Sequence, residues 1–296
     1  DYDANGNLTK DLDRNVYTIR ENVLNLPEII QFKDGHQIIH AYDASGRKLS
    51  SRYFTILIKS EVPVVNTLQV GEVLNLEYNM DIIDESGTFY VDNKEYTFNG
   101  CDPGVYVLDR IYNTEGYANN LGGYYGPNYN YFRRDHLGNN REVWNATNNT
   151  LVQRTQYYPS GLPWASNSGD NPGAQNKKYN GKEFIEMHGL DEYDSEARWY
   201  IPSSVRTPTP DPHCENYYNT SPYAWCGNNF VNAIDPNGMD WYSHQEEYKD
   251  KNGETQTRIT YKYVEGQMSK KEMKQGGYTH LGLTYTNGND YYSLFG

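Results

Sequence analysis

The chain has 296 residues, a formal net charge of −13 and a hydrophobic fraction of 36%, below the roughly 45–50% of an ordinary soluble domain. Aromatics still reach 15%, because 30 residues are tyrosine, and that excludes disorder, since disordered segments are poor in aromatics. The acidic balance excludes a nucleic-acid surface, which needs clustered Lys and Arg, and no stretch nears the roughly 18 apolar residues of a membrane span.

The elements come in chain order as strands and turns. Tyr2-Asp3-Ala4-Asn5-Gly6 recurs as Tyr42-Asp43-Ala44-Ser45-Gly46. Between the two copies lie Val16–Ile19 and Gln37–His40, alternating segments parted by the turn dipeptide Asp34-Gly35, a hairpin signal. Self-similarity of this kind predicts hairpins stacked side by side, each burying its face against its neighbours. Phe54–Ile58 and Thr88–Val91 read as strands, Asn93-Lys94 and Asn99-Gly100 as turns, and the Gly/Tyr/Asn-rich stretch 119–130 as a loop. Alternation resumes at Tyr129–Arg133 and Arg141–Trp144, and a second loop is expected over 166–175. Pro202, Pro208, Pro210 and Pro212 make 202–212 extended and mostly unpaired.

Residues 240–296 hold 7 Lys/Arg and 8 Asp/Glu, a net charge of −1, so residues 1–239 carry the other −12. A boundary at Met239/Asp240 fits that shift. The tail reads as a strand (257–264), a helical turn (269–274) capped by Ser269, and a hairpin turning at Asn287-Gly288. Helix is scarce throughout, and the fold class is all-β. Cys101, Cys214 and Cys226 are too few for a disulfide framework. The chain starts at Asp1 without a charged-then-apolar leader and reads as a segment of something longer.

An ordered series of motifs follows the repeat. It runs through Asp135-His136-Leu137-Gly138-Asn139-Asn140-Arg141, Tyr179-Asn180-Gly181-Lys182-Glu183, His188-Gly189-Leu190-Asp191 and Ala197-Arg198-Trp199-Tyr200. It closes with Asp211-Pro212, the segment 216–229, and Asp235-Pro236-Asn237-Gly238-Met239. The series resembles the bacterial RHS/YD-repeat family and its RHS repeat-associated core domain, in a form most like that of the Bacteroidetes. The resemblance covers residues 1 to about 240, more loosely over 53–110. It implies YD-repeat hairpins (1–52), a loosely matching shell segment (53–128), a core-domain plug (129–239) and a variable tip (240–296). A protein of this kind is a polymorphic toxin, secreted or on the cell surface. It would encapsulate and deliver its tip, with the rest of the shell, a secretion or injection apparatus and an immunity protein as partners.

The same resemblance implies self-cleavage by two aspartates. By position these are Asp211 and Asp235, with Arg206 holding one carboxylate charged, and the scissile bond is Met239–Asp240. Two carboxylates brought together split their pKa values, so one activates water while the other polarises a carbonyl. No cofactor or metal is expected. The sequence departs from the family pattern at Ile201, Val205, Thr207 and Phe230. A degenerate cassette, or a non-catalytic adhesion module with tyrosines binding glycan, are the alternatives.

The remaining candidates have plainer readings. Asp1–Gly6 mimics the start of a calcium loop, but position twelve is Leu12 where a bidentate Glu is required. His188, His213, Cys214 and Cys226 lack zinc spacing. Asp135-His136 reads as a turn residue beside a hydrogen-bonded histidine. In the tail, His244, Glu246, Glu247 and His280 are acid/base or metal candidates on which exposed surface residues fit equally well.

Overall fold

The computed structural model describes residues 1–57, 68–76, 83–99, 105–122 and 126–238 apart from 172, 217, 232, 236 and 237, and in the tail 242–249, 255–260, 278–280, 284–287 and 290–293. The chain is all-β, and its contacts divide into two units. Unit 1 comprises residues 1–133, 142–153 and 185–191, and unit 2 comprises 134–141, 154–184 and 192–296.

Unit 1 is built on an eleven-stranded sheet that follows sequence order without a crossover. Its strands are β1 (Val16–Glu21), β2 (Pro27–Phe32), β3 (Gln37–Tyr42), β4 (Lys48–Ile56), β5 (Ile83–Val91), β6 (Lys94–Asn99), β7 (Val107–Asn113), β8 (Gly116–Asn119), β9 (Asn128–Arg134), β10 (Asn140–Asn145) and β11 (Thr150–Arg154). One continuous ladder therefore carries the chain across positions 52/53 and 128/129. The turn expected at Asn93-Lys94 falls one residue earlier: Val91 pairs with Lys94, and Asp92 takes the left-handed conformation at φ +53°. Cys101 and Gly100 lie outside the described residues.

The repeat is a loop before it is a strand. Asp3 Oδ1 accepts the N–H groups of Asn5 (2.9 Å) and Asn7 (2.8 Å), and the Asp3 carbonyl accepts Gly6 N–H at 3.1 Å. Asp43 repeats these bonds with Ser45, Arg47 and Gly46. Two further copies escape a search for YD: Asp135 with Leu137, Asn139 and Gly138, and Asn22 with Leu24, Leu26 and Asn25. The fourth residue of each loop must accept positive φ. It is Gly6 (+84°), Gly46 (+86°), Gly138 (+78°) or Asn25 (+57°). Asp135 is thus the turn residue its sequence suggested, and His136 is exposed.

One stretch of the sheet is held through polar groups. Gln31 Oε1 accepts Gln37 Nε2 (3.0 Å) and Leu74 N–H (3.0 Å), while Gln37 Nε2 also reaches the Leu74 carbonyl (3.1 Å). Thr18 Oγ1 donates to the Glu72 carbonyl at 2.7 Å. Residues 68–76 are therefore strapped to β1–β3 by hydrogen bonds, with Leu68 buried.

Unit 2 has short strands around an aromatic cluster. A two-stranded ladder, β12 (Gln156–Tyr157) with β13 (Pro163–Trp164), precedes a three-stranded sheet of β14 (Glu183–Ile185), β15 (Glu192–Ser195) and β16 (Arg198–Tyr200). Tyr179, Phe184, Tyr193, Tyr200, Trp225, Cys226 and Ala233 form the core. Tyr200 stacks on Trp225 at 4.6 Å, and Phe184 lies 4.5 Å from Tyr193. Tyrosine suits these positions because each ring fills the core while its hydroxyl ties a loop: Tyr179 to the Phe230 carbonyl (2.7 Å), Tyr193 to Gly161 (2.8 Å) and Tyr200 to Ser160 (2.7 Å).

In the tail, β17 (Tyr242–Lys249), which the sequence did not announce, pairs with both β18 (Thr255–Thr260) and β19 (Tyr278–His280). The closing hairpin is β20 (Thr284–Asn287) with β21 (Asp290–Ser293), and Asn287 pairs with Asp290 at its end. The helical turn expected at 269–274 lies outside the described residues.

Candidate functional site

The site starts from a tight hairpin. Glu196, at φ +67°, turns the chain between β15 and β16, its N–H bound to Asp194 Oδ1 at 3.0 Å. The turn pairs Ser195 with Arg198 and begins β16 with three consecutive buried side chains, Arg198, Trp199 and Tyr200. A fully buried guanidinium needs anionic partners from elsewhere in the chain. Its Nη1 lies 3.0 Å from Asp211 Oδ2 and its Nη2 lies 2.8 Å from Asp235 Oδ2. Its Nε donates to the Gly238 carbonyl, and Nη1 reaches the Ala224 carbonyl at 3.5 Å.

The carboxylates are fixed on their other sides too. Asp211 Oδ1 accepts His213 N–H at 2.7 Å, and the Asp211 N–H donates to the Pro222 carbonyl at 2.8 Å. Asp235 Oδ1 accepts Gly238 N–H at 2.8 Å. Gly238 has no room for a side chain: its φ is +78°, and a Cβ would stand 2.5 Å from the Ser195 carbonyl and 2.8 Å from Arg198 N. Arg198 and Asp235 together therefore grip both polar groups of residue 238.

One guanidinium faces two acids, so the centre is neutral only when one of them keeps a proton. Burial pushes Asp235 up to about 6 against the pull of Arg198, and the Asp211 charge adds to the rise. The Cys226 thiol beside them is raised well above its ordinary value by burial and then by the Asp235 charge.

Asp211 and Asp235 are thus brought together, 5% and 0% exposed. Arg206 is not with them. Val205, at φ +58°, turns the chain so that the Arg206 backbone bridges Ile201 and Ala224 while its side chain is exposed. The arginine between the acids is Arg198, which the sequence presented only as part of a motif. An arginine set between Ala197 and Trp199-Tyr200, in an otherwise apolar run, was the signal that could have found it. Met239 and Asp240 lie outside the described residues, and Gly238 is the last described position before them.

The positions that depart from the family pattern are accommodated locally. Ile201 is buried, Val205 holds a left-handed backbone at φ +58°, and Thr207 Oγ1 donates to the Thr209 carbonyl at 2.8 Å. Phe230 packs on the aromatic cluster. Among the described residues no group of three or more His, Cys, Asp or Glu could hold a metal ion, and Cys214 and Cys226 are free thiols. His244 lies on β17 opposite Thr260 and Tyr278, and His280 lies on β19 opposite Tyr242. Among the described residues no helix is long and apolar enough to cross a membrane.

No family model matches the chain, and no curated protein matches it. Solved structures do. The chain is similar to crystal structures of TcdB2-TccC3, of TcdB2-TccC3-Cdc42 and of TcdB2-TccC3 without its hypervariable C-terminal region, each at 16% identity and a TM-score of 0.58. Each match covers 80% of this chain and 11% of the other, so the chain spans about a ninth of that length. The likeness is one of fold: the all-β architecture of the chain is similar to that of TcdB2-TccC3.

Proposed function

We propose that this chain is a segment of an RHS-type toxin shell that encloses and delivers a variable C-terminal tip, and that it cuts itself between Met239 and Asp240. The fold likeness to TcdB2-TccC3 supports the shell. The remainder of the shell, a secretion apparatus and an immunity protein for the tip are its partners, outside the cell or on its surface.

One observation carries the cleavage reading. Asp211 and Asp235, 24 positions apart in sequence, converge on one buried guanidinium, which also holds the carbonyl one residue before the scissile one. The ionised carboxylate takes a proton from water as the water oxygen bonds to the Met239 carbonyl carbon, and the protonated partner donates to the carbonyl oxygen. The tetrahedral species then collapses and the C–N bond breaks. The Asp240 nitrogen takes a proton and leaves as an amine, and Met239 ends as a carboxylate. Arg198 keeps the pair at one net negative charge or none and orients both acids.

Expression of the full-length protein, followed by denaturing gels and intact mass, tests this. Wild type separates into two chains at Met239/Asp240, and Asp211→Asn and Asp235→Asn each remain whole. A wild-type protein that stays whole, unchanged by Asp235→Asn, overturns the cleavage. A glycan-binding reading is favoured by Tyr129 and Tyr131, which are 54% and 49% exposed on β9. It requires glycan binding that is lost when both become Ala.

A further inference from the structure

We propose that Ser195 is a further catalytic residue of the cleavage, its hydroxyl donating a hydrogen bond to the Met239 carbonyl oxygen as the tetrahedral species forms. The proposal deepens the cleavage reading and rests on it.

The placement comes from strand register. Ser195 is paired directly with Arg198 across the β15–β16 hairpin, and residues opposite each other in an antiparallel ladder project from the same face with Cβ atoms about 5 Å apart. The Ser195 side chain therefore leaves the hairpin beside that of Arg198, whose guanidinium holds Asp211, Asp235 and the Gly238 carbonyl. Tyr193 and Tyr200, the next pair on that face, belong to the aromatic core, so Ser195 stands where that core gives way to the acids. Its backbone also meets residue 238: a Cβ on Gly238 would stand 2.5 Å from the Ser195 carbonyl oxygen. Met239 is the next residue, one Cα–Cα step of about 3.8 Å along the chain.

The hydroxyl is uncommitted. Ser195 is 0% exposed, and its Oγ has no hydrogen-bond partner among the described residues. A hydroxyl shut away from water without a partner costs free energy, and alanine would fill the strand position without that cost. An oxyanion donor has this profile, because it is held in place beforehand and used only where charge develops. The acids leave room for one. Asp211 Oδ1 is bound to His213 N–H and Asp235 Oδ1 to Gly238 N–H, while both Oδ2 atoms face Arg198. One acid activates water, so the other alone would donate to the carbonyl oxygen, and a serine hydroxyl shares the charge that grows there. The serine keeps its own proton throughout, and the bonds made and broken are those of the hydrolysis above.

The test uses full-length protein made in a short translation pulse and chased in buffers between about pH 4 and 8, as wild type and as Ser195→Ala. Ser195→Ala slows cleavage about a hundredfold. It leaves the midpoint of the pH profile in place, because serine does not titrate in that range and the acids keep Arg198. Hydrogen exchange over β15 and β16 in the uncleavable Asp235→Asn protein, with and without Ser195→Ala, reads the hairpin independently of cleavage. Protection there is kept or raised, since an unpaired hydroxyl has been removed. A Ser195→Ala protein that cleaves at the wild-type rate overturns the proposal while cleavage stands. Slow cleavage with lost protection or a moved midpoint does the same, since the serine then acts through packing or through the acids. A wild type that never cleaves removes the cleavage reading and this proposal with it.

Discussion

The two units bury polar groups in opposite ways. In unit 1 they are spread along the sheet as local rungs: Gln31 with Gln37, His40 Nδ1 with Ser51 Oγ at 2.9 Å, and Arg52 Nε with Glu85 Oε1 at 2.7 Å. Each rung joins adjacent strands and is complete without the next. In unit 2 the charge is concentrated, with one guanidinium serving two acids and two carbonyls from three separate segments of the chain. Repetition tolerates the loss of one member. Convergence does not, because every partner of Arg198 is left buried without it.

The largest expected effect breaks that contrast directly. Arg198→Met strands two buried carboxylates and destabilises unit 2 by about 3–5 kcal/mol, whereas Gln31→Met costs about 1–2 kcal/mol. Urea unfolding followed through the buried Trp199 and Trp225 measures the first, and adding Asp211→Asn with Asp235→Asn recovers most of the loss. Equal costs for Arg198 and Gln31 would erase the distinction between the units.

What sequence made legible divides along the same line. Repeated hairpins announce themselves through Asp-x-x-Gly, because the loop geometry demands an acceptor at its first residue and a left-handed backbone at its fourth. Asn22 with Asn25 meets the same demand with different residues, and so was missed. Asp211 and Asp235 were visible only through resemblance to a family, since no local pattern brings residues 24 positions apart together. Sequence favours Arg206 over Arg198 because the resemblance carries an arginine to that position, five residues before Asp211. Burial decided otherwise, and burial follows from how β15 and β16 pair, which no short window records. The strand β17 was missed for a related reason: His244, Gln245, Glu246 and Glu247 alternate too little to read as β.

Acid should move the two units in opposite directions. His188 stacks on His36 at 4.5 Å, and its Nε2 is buried with no hydrogen-bond partner among the described residues. Burial, and then the His36 ring, push it down to about 4, against the opposing pull of Asp34 and of a bond to the Phe54 backbone. His36 itself accepts Ile56 N–H at 3.0 Å and faces Asp34 Oδ2 at 3.1 Å. Unfolding therefore takes up a proton between about pH 6.5 and 4, and unit 1 loses on the order of 2 kcal/mol as pH falls through that window. Asp235 has the reverse sign. With its folded value near 6, unit 2 gains on the order of 2 kcal/mol as pH falls from about 6 to 4. Hydrogen exchange corrected for its intrinsic pH dependence reads both units in one experiment. His188→Phe flattens the first slope and Asp235→Asn the second.

The smallest effects probe whether the loops are independent copies. Gly46→Ala forces a side chain into φ +86° with its Cβ 3.3 Å from Leu26 Cδ1, and a cost of about 1–2 kcal/mol follows from the left-handed strain. Asn25→Gly installs the residue the other three loops use at that position. It relieves about 1 kcal/mol of backbone strain but removes the Asn7 Nδ2 to Asn25 Oδ1 bond of 2.8 Å that joins two of the loops. Asn7 Nδ2 keeps its second acceptor, Asp3 Oδ2, at 3.0 Å, so no buried donor is orphaned. The two terms nearly cancel, and thermal unfolding should move stability by less than about 0.5 kcal/mol. A loss several times larger would mean that the loop at Asn22 depends on the loop at Asp3, and that unit 1 is stabilised by contacts between its repeats rather than by the repeats themselves.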